Sequence, residues 1–93
     1  MSERGSSPQK TQRRQLHALL TAVSDQLEPQ TVDLAREMID ANEGAIALDM
    51  MSEMLVKRQA RLPMDTFRDF QELALSLELS SATAERLRPL IRH

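Results

Sequence analysis

Apolar residues in this chain recur at helical spacing and nowhere alternate along a strand. Leu16, Leu19, Leu20, Val23 and Leu27 stand at i, i+3, i+4, i+7 and i+11, the stripe of a helix with one face toward a core. Later segments repeat that spacing. No segment alternates with period two, and no Asn-Gly or Asp-Gly pair signals a hairpin. The pattern predicts an all-α fold: a compact bundle of about five short helices. A disordered tail is expected over residues 1–9, where Ser, Gly, Pro and charge dominate, and a single helical domain over 10–93.

The helix limits follow from punctuation. The first helix is expected from Lys10 to Leu27. Pro29 opens the second, since proline is tolerated in a first turn, and the second runs to about Ala41 over Val32, Ala35, Met38 and Ile39. Asn42 suits the left-handed residue that follows a helix end. A third helix is expected from Glu43 to Gln59, with Ala47, Leu48, Met50, Met51, Met54 and Leu55 on its apolar face. Pro63 or Asp65 opens a fourth, burying Phe67, Phe70, Leu73, Ala74 and Leu77. Ser80 or Ser81 caps a fifth, which contributes Leu87, Leu90 and Ile91 and is shortened or bent by Pro89.

Composition excludes several functions. The 93 residues contain no cysteine, so disulfides, thiolate chemistry and cysteine-based zinc sites are out, which suits a reducing cytoplasm. No apolar run approaches the roughly 18 residues of a membrane span, and the first residues lack the apolar core of a signal peptide. Two phenylalanines are the only aromatics, which argues against base-stacking or sugar-stacking surfaces. The histidines, His17 and His93, form no metal-spaced pair. The glycines, Gly5 and Gly44, make no phosphate loop, and no nucleophile–base arrangement is recognisable. The expectation is a protein without enzymatic activity, cofactor or metal.

Charge carries the functional signal. Between Asp25 and Val56 stand eight acids (Asp25, Glu28, Asp33, Glu37, Asp40, Glu43, Asp49 and Glu53) against one base, Arg36. The whole chain carries only −2. Clustered like charge does little for folding, whereas it draws a basic partner. Asp33–Glu37 and Asp49–Glu53 are like-charge i,i+4 pairs, each costing a few tenths of a kcal/mol. A third acidic line runs through Asp65, Asp69 and Glu72 beside Ser76. The candidate partner-binding residues are Asp33, Glu37, Asp40, Asp49 and Glu53, with Ile46 as an apolar anchor. Glu43 joins them as an acid on the apolar side of the third helix: a capping or first-turn residue, or a partly buried acid that orders the turn or receives a partner arginine. Gly44 beside it permits close backbone approach. The bases fall in separate clusters, Lys10/Arg13/Arg14, Lys57/Arg58/Arg61 and Arg86/Arg88/Arg92, rather than in the continuous stripe of a nucleic-acid site.

The stretch Ile39 to Met51, IDANEGAIALDMM, resembles the central motif of the MafI-type immunity proteins, small helical proteins encoded beside polymorphic secreted toxins. Ile39, Asp40, Glu43, Ala47 and Leu48 match that motif. Asn42 stands where the family usually has glycine, and Met51 where it usually has leucine. The likeness extends over roughly residues 16–91 through Pro63, the Phe67/Phe70/Leu73 helix, Leu87 and Leu90. It implies a cytoplasmic inhibitor that binds a cognate toxin domain, often a nuclease with a basic site, and needs neither nucleic acid nor membrane. Two other readings stay open: a helical adaptor or oligomerisation module, and a small DNA-binding regulator using Arg86, Arg88 and Arg92 on phosphates.

Overall fold

α1 (Pro8–Val23) is the helix around which the others assemble; it packs against α2 (Pro29–Asp40), α3 (Gly44–Lys57) and α4 (Met64–Ser76). The computed structural model describes residues 8–92. Residues 1–7 of the expected tail lie outside the described residues, whereas Pro8 and Gln9 belong to α1, so the helix begins earlier than Lys10. α2 and α3 form an antiparallel hairpin. A one-turn α5 (Ala82–Glu85) and a 3-10 turn at Arg88–Leu90 close the structure against α3 and α4. The fold is all-α: among the described residues no strand occurs, only one isolated bridge between Leu62 and Ile91.

The five residues of the first stripe are all buried, yet α1 stops four residues before Leu27. Ser24–Gln26 tightens into a 3-10 turn. Hydroxyls explain the change. Thr21 Oγ1 donates to the His17 carbonyl and Ser24 Oγ to the Thr21 carbonyl, side-chain bonds that compete with the helix ladder. Gln26 then clamps the far side of the molecule, donating from Nε2 to the Arg61 carbonyl (2.7 Å) and accepting from the Arg61 N–H (2.9 Å). Glu28 is extended, as a residue before proline must be, and Pro29 starts α2 in its first turn.

Three helix ends share one geometry. Asn42 takes φ 66° after α2, as its position predicts; the Glu43 N–H donates to the Met38 carbonyl (2.8 Å) and the Asn42 N–H to that of Ile39. Gln59 (φ 52°) closes α3 and Glu78 (φ 60°) closes α4 through the same pair of reversed bonds, from Ala60 to Leu55 and from Leu79 to Ala74. The latter two carry no glycine or asparagine signal and were not foreseen. A side chain in that region costs about 1–2 kcal/mol. Gln59→Gly and Glu78→Gly are therefore each expected to raise stability by about 0.5–1 kcal/mol, after the extra unfolded-state entropy of glycine is set against the relief. Urea titration of the two variants checks this.

Gly44 sits at the first position of α3 with ordinary backbone angles. Its role is steric: a Cβ there would lie 2.5 Å from Leu16 Cδ1. The absent Cβ lets the hairpin turn settle on α1 without displacing the Leu16 side chain.

The fifth helix is short, as Pro89 leads one to expect: α5 ends at Glu85, and Leu87, Leu90 and Ile91 lie beyond it. Pro89 lacks the N–H that a continuing helix needs, so the chain turns. Leu62 donates its N–H to the Leu90 carbonyl (2.9 Å) and accepts from the Arg92 N–H (2.7 Å), pinning the segment to the α3–α4 loop. Leu87 and Ile91 are buried, as expected from the pattern. Ser80, not Ser81, does the capping: its Oγ accepts from the Ala82 N–H.

Arg88 lies 5.0 Å above the Phe67 ring and forks onto Glu85 with two bonds of 2.8 Å. The hydrogen-bonded guanidinium holds the Glu85 carboxyl below the usual carboxylate range. A depressed folded value means the pair's contribution is present above the ordinary carboxylate range and is lost as pH falls through the lowered value. The stability gap between wild type and Glu85→Gln is thus expected at neutral pH and should shrink toward zero on acidification. Thermal melts across that interval measure it.

Candidate partner-binding surface

The acids singled out in the sequence divide into two groups with different surroundings. On α2, Val32, Ala35 and Ile39 face the core, which turns Asp33, Glu37 and Asp40 outward. Asp33 is exposed and pairs with Arg36 on its own helix at 3.4 Å, an i,i+3 contact of small energetic weight. Asp40 meets His17 Nε2 at 2.9 Å and so ties α2 to α1. The Glu37 carboxylate makes no hydrogen bond or ion pair among the described residues.

The turn adds two residues. Glu43 is exposed and is not the partly buried acid considered above. Its carboxylate does not cap α3; the ordering of the turn runs through its backbone, whose N–H reaches Met38 and whose carbonyl accepts from Ala47 (3.1 Å). Ile46 is 56% exposed, so an apolar side chain stands beside a free carboxylate. A shallow hollow of about 400 Å³ opens at this end of the bundle, lined in part by Arg13, Leu16, Glu43, Gly44, Ile46 and Leu77.

Asp49 and Glu53 on α3 require a correction. They do not wait for an external base, because Arg86 already serves them: Nη1 lies 3.2 Å from Asp49 Oδ1 and 3.8 Å from Glu53 Oε2. The same nitrogen donates to Ser52 Oγ (3.2 Å), a hydroxyl with no solvent exposure that itself donates to the Asp49 carbonyl (2.7 Å). Arg86 follows α5, so these two acids lie toward α5, while on α2 Asp40 reaches His17 of α1. The single acidic face expected from Asp33 to Glu53 is two patches, and only that of α2 and the turn has unpaired carboxylates.

Sequence reasoning missed the internal bonds of His17, Ser52 and Arg86. His17 was weighed only as a metal ligand. Ser52 lies four residues after Leu48 and three before Leu55, both buried, and its burial follows from that spacing. Nothing in the sequence announces Arg86, since its role depends on which helix α5 packs against. The DNA-binding reading loses ground here: Arg86 is held by α3, and Arg88 by Glu85 and Phe67.

Most of the motif that resembles the immunity proteins is interior. Ile39, Ala47, Leu48 and Met51 are all buried in the α2–α3 hairpin, leaving Asp40 and Glu43 as the matched residues at the surface. No helix among the described residues is long and apolar enough to cross a membrane. Comparison of the chain with family models, with curated proteins and with solved structures finds no match.

Proposed function

We propose that this protein is an immunity protein that binds and neutralises a cognate bacterial toxin domain in the cytoplasm of the cell that makes the toxin. The observation that carries the reading is the pair of unpaired carboxylates, Glu37 on α2 and Glu43 in the turn, flanked by Asp33, Asp40 and the exposed Ile46. The resemblance of the Ile39–Met51 stretch supports it. A nuclease holds phosphate in a basic site, and a surface of carboxylates competes for that site as a polyanion does. Opposite fields also accelerate encounter, with a rate that falls as salt rises. Ile46 supplies the apolar centre that charged rims need for affinity.

The first experiment is growth on co-expression with the C-terminal domain of the toxin encoded beside the gene, with a non-cognate toxin as control. Selective rescue supports immunity; no rescue with both proteins soluble removes it. The surface is tested by the triple variant Asp33→Lys, Glu37→Lys, Glu43→Lys. It spares Asp40, Asp49 and Glu53, which hold His17 and Arg86. Binding is expected to weaken at least about tenfold, chiefly through slower association, with unchanged circular dichroism. Full affinity in a folded triple variant rules out this surface.

A further inference from the structure

The hollow at the turn end of the bundle has an apolar lining that the acidic surface does not explain. Leu16 of α1, Ile39 of α2 and Leu77 at the end of α4 all border it. A Cβ on Gly44 would stand against two of them, 2.5 Å from Leu16 Cδ1 and 3.7 Å from Leu77 Cδ2, so the glycine keeps that space open. The hollow also carries one free charge of each sign. Glu43 is the unpaired carboxylate of the turn. Arg13, exposed on α1, makes no hydrogen bond or ion pair among the described residues. It stands in the N-terminal half of α1, where the helix dipole does not favour a base, so local stability does not account for it.

We propose that this hollow receives one large apolar side chain of the toxin domain, on a segment that carries an acid for Arg13 and a base for Glu43. The inference rests on the immunity reading above and deepens it. Carboxylates on α2 and the turn steer a basic partner, but they do not make the desolvated centre on which affinity depends. The hollow is continuous with them, since it is bordered by Glu43 and Ile46. It is shallow at about 400 Å³, whereas a small ligand is held by burial of most of its surface. A knob carried on a protein surface fits it better. The two charges set what the neighbours of that knob must be. A partner segment with bases alone would set like charge against Arg13 and lose affinity. Arg13 is thereby a specificity element, separating basic toxin domains that the acids alone would accept alike.

Calorimetric titration with an inactivated form of the toxin domain encoded beside the gene tests the proposal. Ala45 lines the hollow from α3, and Ala45→Phe puts a ring there without touching a charge. Arg13→Glu extends the acidic surface. Attraction between opposite fields alone predicts that Arg13→Glu binds a basic partner as well as the wild type or better; the hollow predicts the reverse. Each variant is expected to raise Kd at least about tenfold. Arg13 is exposed, so circular dichroism of its variant should match the wild type, and this variant decides the matter if Ala45→Phe does not fold. Unchanged or tighter binding by Arg13→Glu overturns the inference, as does wild-type affinity in a folded Ala45→Phe. If Asp33→Lys with Glu37→Lys still weakens binding in that case, the acidic surface stands without the hollow. Losses in Arg13→Glu and Ala45→Phe alone keep the hollow and remove the α2 acids from the interface. A toxin domain with no affinity for the wild type removes both.

Discussion

Phe70→Ala is expected to lose about 3–5 kcal/mol of folding stability, most or all of what a domain of this size has. Phe70 is the largest of the fully buried side chains and sits on the inner side of α4, the helix that packs on α1, α3 and α5. The chain has one other phenylalanine and no tyrosine or tryptophan, so no second large ring stands ready to fill the space. Small bundles bury too little surface to absorb such a cavity. Chemical denaturation followed by circular dichroism measures the loss. Phe70→Leu, which keeps most of the volume, is expected to cost far less. If the two variants prove equally mild, the centre of the core lies elsewhere.

The second large effect concerns Arg86. Arg86→Ala is expected to cost about 2 kcal/mol, the scale of hydrogen bonds to a charged group, lowered somewhat because the side chain is about one-third exposed. Three groups lose a partner at once: Asp49, Glu53 and the buried Ser52 hydroxyl. What remains is a like-charge i,i+4 pair on α3, so the destabilised variant should recover part of the loss in high salt. Arg86→Lys keeps the charge but not the planar fork, and should fall between the two. The variant also bears on partner choice. It uncovers Asp49 and Glu53 for an external base, so a basic partner that reaches α3 should bind the alanine variant more tightly than the wild type. One confined to α2 and the turn should be indifferent. Calorimetric titration separates these outcomes.

Helix identity and the buried faces were legible from spacing alone, because a period of 3.6 marks a core-facing stripe whatever the stripe packs against. Asn42 was legible too, since few residues tolerate left-handed angles. Gln59 and Glu78 were not: there the tertiary position of Ala60 and Leu79 imposes the turn and overrides the side chain's own preference. The end of α1 was misjudged because apolar periodicity continued to Leu27 while the hydroxyls of Thr21 and Ser24 ended the α-helix. At the candidate surface, the exposure of Asp33, Glu37, Asp40 and Ile46 followed from the helical wheel. The grouping of Asp49 and Glu53 with them did not. A wheel tells which side is wet, but the neighbour across the wet side is set by long-range packing, and there Arg86 decides.

The bridge between Leu62 and Ile91 has a consequence for how the protein comes apart under load. A helix pulled from its end frays one hydrogen bond at a time. A tug applied just beyond Ile91 instead reaches the Leu62 bonds at once, and through them the middle of the chain, close to the end of α3 and the start of α4. An unfolding machine working from that side meets those two bonds before it reaches α4 or α3. One working from α1 must draw out the helix against which α2, α3 and α4 all pack.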